Sequence, residues 1–193
     1  MKVVMINGSR RENGCTYTAL SIIAEVLNDN EIDVELFNIG PDVMNGDINE
    51  AVQEVAESIK TADGLIVGSP VYYASPSGEV ISFLDRLFGV ALDDLCFKPA
   101  AAITSARRAG TTATLEVLNK YFQFAQMPIV SSSYWPMVHG NTPDQIFKDE
   151  EGIDIMKTLG RNMAWILKSI EAGKAAGVAQ PVGGERPKTN FIR

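Results

Sequence analysis

Hydrophobic positions along the chain follow two spacings, one typical of strands and the other typical of helices. Five short apolar runs, most of them rich in β-branched residues, have the length and composition of buried strands. The predicted strands cover residues 2–6, 33–39, 63–68, 97–104 and 128–132. Between and after them, apolar residues recur every three or four positions, the period of a helix with one buried face. The predicted helices cover residues 16–27, 48–59, 77–88, 111–125 and 149–172.

Strands that alternate with helices predict a parallel sheet with helices on both faces, because right-handed crossovers place a helix between successive strands. Five strands fit a three-layer α/β sandwich with the strand order 2-1-3-4-5. We expect this domain to span residues 1–172. From Gly173 to Arg193 glycine and proline are frequent, which predicts an irregular C-terminal tail, either disordered or laid across a surface.

Composition and charge narrow the possible partners. The 193 residues suit one domain, and 46% hydrophobic with 21% charged residues is typical of a soluble protein. The net charge of -7 argues against nucleic acid, since phosphate backbones bind basic surfaces. No apolar stretch resembles a signal peptide or a membrane span, so we expect a cytoplasmic protein with no membrane partner. The two cysteines, Cys15 and Cys96, form no metal-spaced pair and indicate a reducing compartment.

The stretch INGSRRENGCT, residues 6–16, joins the first predicted strand to the first predicted helix. Such a turn presents the free N–H groups and positive dipole end of the helix to whatever occupies the loop, which favours an anion such as phosphate. The loop supplies matching glycines, hydroxyls and arginines at Gly8, Gly14, Ser9, Thr16, Arg10 and Arg11. The alternative is a solvated loop in which Ser9 or Thr16 caps the helix.

Two further loops are expected beside the first one. Ligands of open parallel sheets bind beyond the carboxyl ends of the strands, where the loops after strands 1, 3 and 4 meet. The loop GSPVYYASPSG, residues 68–78, combines stiffening prolines with Tyr72 and Tyr73, which would suit a planar ring with polar edges. The loop SARRAG, residues 105–110, adds a hydroxyl, two arginines and a glycine. Taken singly, these loops could be a plain surface turn and a helix cap.

Common nucleotide and hydrolase motifs are missing from the sequence. There is neither a G-x-x-x-x-G-K-[ST] motif nor a G-x-G-x-x-G motif after strand 1, which argues against a P-loop nucleotidase and the usual dinucleotide turn. The single histidine, His139, has no partner that spacing identifies. A Ser-His-Asp triad is therefore a weak alternative to a loop residue near the rim of the cleft.

Two motifs make the chain resemble the NADPH-dependent FMN reductase family of the flavodoxin-like superfamily. Its members begin with a strand, then G-S-x-R-x-x-G-x-T, then a helix. The matching residues here are Gly8, Ser9, Arg11, Gly14 and Thr16. The second motif, G-S-P-x-Y followed by S-G and F-L-D-R, lies between Gly68 and Arg86. The resemblance covers nearly the whole chain and implies the flavodoxin-like fold, with FMN as cofactor and NAD(P)H as co-substrate.

The resemblance also implies which residues hold the cofactor. Those around the FMN phosphate would be Ser9, Arg11, Gly14, Cys15 and Thr16. Those that line the isoalloxazine ring would be Pro70, Val71, Tyr72 and Tyr73, and those at its other edge Ser105, Arg107 and Gly110. Relatives often have asparagine in place of Cys15, so we expect its backbone N–H to contact the phosphate. The related iron-sulfur flavoproteins carry a cysteine cluster after strand 2, which residues 38–49 lack, so we expect no metal site.

The activity implied is that of an FMN-dependent oxidoreductase, which takes a hydride from NAD(P)H and passes electrons to a quinone, free flavin or other small acceptor. No side chain need act as an acid or base, because the flavin carries the chemistry. The alternative is a flavodoxin-type electron carrier, expected if a tyrosine and Trp135 cover the two faces of the ring. A non-redox domain is disfavoured, since both loops keep the family residues. The apolar helix 77–88 and the tail predict a homodimer or homotetramer.

Overall fold

The predicted sheet is present in a computed structural model of the protein, which describes residues 1–182, 189 and 191. Its strands are β1 Lys2–Asn7, β2 Asp33–Asn38, β3 Gly64–Tyr72, β4 Ser75–Pro76, β5 Ala100–Ala106 and β6 Met137–His139. Five of them are parallel and lie in the order β2-β1-β3-β5-β6, while β4 pairs antiparallel with the end of β3. Leaving out β4, which was not predicted, this is the 2-1-3-4-5 order. The predicted fold class is therefore confirmed.

The described part of the chain has eight helices, which form the two outer layers. They are α1 Cys15–Asp29, α2 Ile39–Asn45, α3 Ile48–Lys60, α4 Gly78–Val90, α5 Leu92–Leu95, α6 Thr111–Phe124, α7 Pro143–Ile146 and α8 Glu150–Ala175. One core joins the sheet to α1 and α8, and the other joins it to α3, α4 and α6. Side chains alternate along β1, so that Val3 and Met5 enter the first core while Val4 and Ile6 enter the second. All four are fully buried, which explains why the strand is apolar throughout.

The last parallel strand lies elsewhere than predicted. Residues 128–132 were expected to form it, yet only a single bridge links Ile129 to Ala100. The chain leaves the sheet after Val130 and returns where the carbonyl of Pro136 accepts from the N–H of Thr104 at 3.0 Å, so β6 follows at Met137–His139. The physical reason is that Ile129 and Val130 are followed by three serines, too polar to continue a strand inside a core.

The apolar face of α4 packs within its own chain. The dimer expectation depended partly on this helix, predicted over residues 77–88. Leu84 and Leu87 are fully buried and Phe88 is 6% exposed, because all three belong to the core between the sheet and α3, α4 and α6. Leu84 and Leu87 therefore provide no surface for a partner subunit, and that part of the argument for a dimer was wrong.

The C-terminal part of the chain begins with a helix longer than predicted. α8 continues to Ala175, three residues past the expected domain boundary at residue 172. Residues 178–182 follow without regular structure, and most of the predicted tail from residue 183 onward lies outside the described residues. Among the residues that the structure describes, no helix is both long enough and apolar enough to cross a membrane.

Candidate functional site

The loop after β1 is held in shape by its own polar side chains. Asn7, fully buried at the end of β1, accepts a hydrogen bond from the backbone N–H of Ser9 at 3.1 Å. The Ser9 hydroxyl in turn accepts from the N–H of Arg11 at 3.1 Å. The N–H of Gly8 donates to the carbonyl of Gly68 at 2.9 Å, and a Cβ on Gly8 would lie 2.6 Å from a side chain of α4. Local side chain–backbone bonds thus fix the turn, and only glycine fits where it crosses β3.

The N-terminus of α1 has no side-chain cap. Gly14 occupies the N-cap position, and the first turn contains no acidic residue. The alternative in which Ser9 or Thr16 caps the helix is therefore wrong. Uncapped N–H groups and the positive end of the helix dipole are left for a ligand at this point.

The two adjacent arginines of this loop have different surroundings. Arg10 donates from Nε to Oε1 of Glu79 at 2.6 Å, and its guanidinium carbon lies 5.5 Å from the centre of the Tyr72 ring. Arg11 has no ion-pair partner among the described residues and lines a cavity at the strand ends. Of the two charges that the sequence offers to an anion, that of Arg11 is the available one.

Cys15, the first residue of α1, carries a partly buried thiol. Its Sγ contacts the carbonyl oxygen of Gly140 at 3.6 Å, in the loop after β6. Burial raises the pKa of the Cys15 thiol, and the backbone N–H of Cys15 and the nearby charge of Arg11 oppose that shift only in part. The side chain is therefore a neutral thiol at neutral pH, which is a poor nucleophile.

Two buried serines join the second loop to the first. The backbone N–H of Ser77 donates to Oγ of Ser69 at 3.0 Å. The Ser77 hydroxyl donates to the carbonyl of Gly8 at 2.7 Å and accepts from the N–H of Val80, so that Ser77 is also the N-cap of α4. The glycine loop, the end of β3 and the start of α4 are thus fixed relative to one another.

The two tyrosines of the second loop lie in different environments. Tyr72 is partly buried and lines the cavity with Pro70 and Val71. Tyr72 pairs with Ser75 in the β3–β4 hairpin, which leaves Tyr73 and Ala74 as a two-residue turn with φ of 49° and 60°. Positive φ at both positions is what a tight hairpin turn requires. Tyr73 is therefore fully exposed at the tip of the hairpin rather than beside the cavity.

The third loop brings a hydroxyl to the start of α1. Oγ of Ser105 lies 2.8 Å from Oγ1 of Thr16, and both side chains are buried. Each hydroxyl carries one proton, so only one of them donates within the pair and the other O–H is left for a further acceptor. Gly110 has φ of 102°, and a Cβ there would lie 2.7 Å from Cα of Ala74, so it packs against the hairpin tip.

These loops and the residues after β6 enclose a cavity of about 190 Å³ at the carboxyl ends of the strands. Nine of the twelve predicted site residues line it: Ser9, Arg11, Cys15, Thr16, Pro70, Val71, Tyr72, Ser105 and Arg107. The other three are outside the lining: Gly14 is the N-cap of α1, Tyr73 lies at the tip of the hairpin, and Gly110 packs against that tip.

The cavity also has lining residues that sequence reasoning missed, namely Ala106, Gly140 and Asn141. The last two follow β6, whose misplacement at 128–132 hid the loop that carries them. The signal in the sequence was the apolar run before His139 followed by glycine and asparagine, a pattern typical of a strand and a turn.

The lining fits the phosphate and ring of FMN. Its charged members are the two arginines, Arg11 and Arg107, and no carboxylate lies among the described residues around it. Hydroxyls and the uncapped start of α1 complete a set of donors that suits an anion. Pro70, Val71 and Tyr72 offer apolar and aromatic surface to a planar ring.

Trp135 lies away from this cavity. It contributes to a different cavity, of about 470 Å³, beside α6. There its ring meets that of Tyr134 edge to face, with centroids 4.6 Å apart. The arrangement considered for an electron carrier, with Trp135 covering one face of the ring, is therefore not the one present.

Comparison with known proteins supports the same assignment. A model of the family described as NADPH-dependent FMN reductase matches residues 1–142. An FMN reductase (NADPH) of Escherichia coli is 31% identical over 137 residues, 68% of this chain and 66% of the relative.

An iron-sulfur flavoprotein of Methanocaldococcus jannaschii is 25% identical over 194 residues, 89% of this chain and 100% of the relative. Iron-sulfur clusters are typically held by four cysteine thiolates, whereas this sequence has two cysteines. The described residues include no group of three or more histidine, cysteine, aspartate and glutamate side chains placed to hold a metal ion.

A solved flavodoxin from the domain Archaea has a TM-score of 0.65 at 16% identity, covering 87% of this chain and 99% of that structure. At this identity the likeness shows the fold alone. The family model, in contrast, covers every loop that borders the cavity, from the glycine loop to Asn141. The chain therefore belongs to the NADPH-dependent FMN reductase family.

Proposed function

We propose that the protein is an FMN-dependent oxidoreductase that uses NAD(P)H and passes electrons to a small acceptor such as a quinone or free flavin. Its membership of the NADPH-dependent FMN reductase family supports this activity. The observation that carries the proposal is the donor-lined cavity at the strand ends, in which hydroxyls, the uncapped start of α1 and two arginines meet without a carboxylate. The transfer of a hydride from NAD(P)H and of electrons to the acceptor would be the chemistry of the bound FMN.

In this proposal the protein's own residues bind the phosphate of FMN and orient its ring. Ser9, Arg11, Thr16 and the backbone of Cys15, behind the N-cap Gly14, hold the phosphate. Pro70, Val71 and Tyr72 position the ring, with Ser105 and Arg107 at its other edge, while Tyr73 and Gly110 support the loops. The neutral thiol of Cys15 and the lack of a carboxylate in the described lining agree with a reaction that needs no protein acid or base.

We further propose that the protein acts in the cytoplasm as a homodimer or homotetramer, with residues 1–172 carrying the cofactor and 173–193 forming a tail. A shallow cavity of about 550 Å³ between α4 and α6 supports association, since Phe88, Val117 and Phe124 contribute apolar side chains to its lining. Light scattering at micromolar concentration tests this directly. A strictly monomeric mass would contradict it.

The visible spectrum of the purified protein is the first test of the activity, followed by anaerobic stopped-flow mixing with NADH and with NADPH. We expect a bound flavin whose absorption band bleaches within seconds with at least one donor. If neither donor bleaches the band while dithionite does, the protein is a flavodoxin-type electron carrier and the proposed reductase activity is wrong.

A further inference from the structure

Glu79 is a buried carboxylate outside the lining of the cavity. It lies in the first turn of α4, where the helix dipole favours a negative charge, and its side chain is 5% exposed. Oε1 accepts from Nε of Arg10 at 2.6 Å, whereas Oε2 is buried and has no hydrogen-bond partner among the described residues. Burial of a carboxylate is costly unless its charge is paired, so the contact with Arg10 offsets the cost of burying Glu79 at this position.

Arg10 connects this carboxylate to the cavity. It lies in the glycine loop between Ser9 and Arg11, both of which line the cavity, and its own side chain is 55% exposed. A half-exposed arginine has many rotamers, and the bond to Glu79 selects one of them. In that rotamer the guanidinium carbon lies 5.5 Å from the centre of the Tyr72 ring, which is within range of a cation–π contact.

The contacts therefore run from α4 through the glycine loop to the end of β3. Tyr72 lines the cavity, and it is the last residue of β3 before the hairpin turn. We propose that Glu79 is a positioning residue of the cofactor site, which holds Arg10 over Tyr72 and so sets the affinity for FMN and the midpoint potential of the bound flavin. This inference rests on the proposed function.

The electrostatic part of the inference gives different results for the two members of the ion pair. With Glu79 present, the charge of Arg10 is balanced beside the cavity. Replacing Glu79 by glutamine leaves an unbalanced positive charge, which favours the more negative, reduced flavin and moves the midpoint potential to a more positive value. Replacing Arg10 by methionine leaves a buried carboxylate without its partner, and because burial disfavours an unpaired charge, we expect no shift of the midpoint potential comparable to that of Glu79→Gln.

The test uses the full-length chain and measures FMN affinity by titration of apoprotein as well as the midpoint potential of the holoprotein. Glu79→Gln should weaken FMN binding about fivefold, the size of a lost cation–π contact. The same substitution in a Tyr72→Leu background should add little, because the effect passes through the ring. Asp154→Asn is the matched control, since Arg161, its ion-pair partner at 3.7 Å, is also 55% exposed and lies outside the cavity lining.

Equal FMN affinity and equal midpoint potential for wild type and Glu79→Gln would overturn the inference, as would an undiminished loss of FMN affinity when Glu79→Gln is made in the Tyr72→Leu background. If Glu79→Gln does not fold, Arg10→Met breaks the same contacts from the exposed side, and its FMN affinity must fall by a similar factor. A role limited to stability would weaken FMN binding in both variants without moving the midpoint potential of Glu79→Gln, and that result would also overturn the inference. Wild-type apoprotein that binds no FMN would overturn the proposed function together with this inference.

Discussion

Replacing Thr16 by valine should weaken FMN binding without affecting riboflavin binding. The substitution keeps the shape of the side chain and removes one hydroxyl of the buried pair, in which Oγ1 of Thr16 lies 2.8 Å from Oγ of Ser105. With Thr16 at the phosphate, Ser105 donates within the pair and the O–H of Thr16 is the one left for the anion, so the variant loses that hydrogen bond. A hydrogen bond to a charged group contributes about 1.5–3 kcal/mol, which corresponds to a Kd for FMN raised roughly 10- to 100-fold.

The assay is quenching of flavin fluorescence on titration of apoprotein with FMN and with riboflavin, which lacks the phosphate. Thr18→Val is the matched control, because it removes a buried hydroxyl from the same helix that donates to the carbonyl of Gly14 at 3.1 Å and does not line the cavity. We expect FMN affinity to fall in Thr16→Val alone. Equal losses for FMN and riboflavin, or the same loss in Thr18→Val, would refute the assignment of the phosphate to this loop.

Four further predictions concern single residues. Arg11→Gln should weaken FMN binding by about 1–3 kcal/mol and make it less sensitive to salt, whereas an unchanged salt dependence would contradict a role in charge pairing. Gly68→Ala should destabilise the protein by about 1–3 kcal/mol in urea unfolding, since its Cβ would lie 2.8 Å from Cγ2 of Thr16. Gly89→Ala, whose Cβ meets nothing within 4 Å in the last turn of α4, should instead stabilise it by up to about 0.5 kcal/mol. Burial raises the pKa of the Cys15 thiol in the folded protein above its value in the unfolded chain. The resulting contribution to stability is fully present at pH values below the unfolded pKa and is lost as the pH rises through the folded pKa. Wild type should therefore lose more stability than Cys15→Ala between about pH 8 and pH 10, and parallel losses would argue against this.

The periodicity of the sequence predicts the elements that carry most of the core. Each predicted helix is present within a few residues of its expected bounds, because a face that packs on the sheet needs apolar residues at regular spacing. The short helices α2, α5 and α7 were not predicted, since four to seven residues give no readable period. β6 has three residues, and its pairing with β5 depends on a return of the chain after five residues outside the sheet, which no local pattern encodes.

The site was predictable where a motif sets a backbone shape. The glycine loop needs Gly8 where it packs against β3 and α4, and side-chain oxygens of Asn7 and Ser9 to close its turns, so the spacing of the motif reflects local hydrogen bonds that the structure contains. Gly140 and Asn141 were not predictable in this way, because their place at the cavity depends on the strand before them. A motif with its own internal geometry can be identified from sequence, whereas a contribution from a distant loop depends on the tertiary fold.

Sequence alone also could not distinguish neighbours of the same type. Arg10 and Arg11, like Tyr72 and Tyr73, are equivalent donors or rings in a sequence motif, yet in each pair one residue lines the cavity. The hairpin turn distinguishes the two tyrosines, because positive φ at Tyr73 places this residue at the tip of the hairpin. The buried Glu79 distinguishes the first pair, because it binds Arg10 and leaves Arg11 to an anion. Arg10, which does not line the cavity, in turn contacts the ring of Tyr72, which does. In our proposal the ion pair between Glu79 and Arg10 therefore also affects the aromatic ring beside the cofactor.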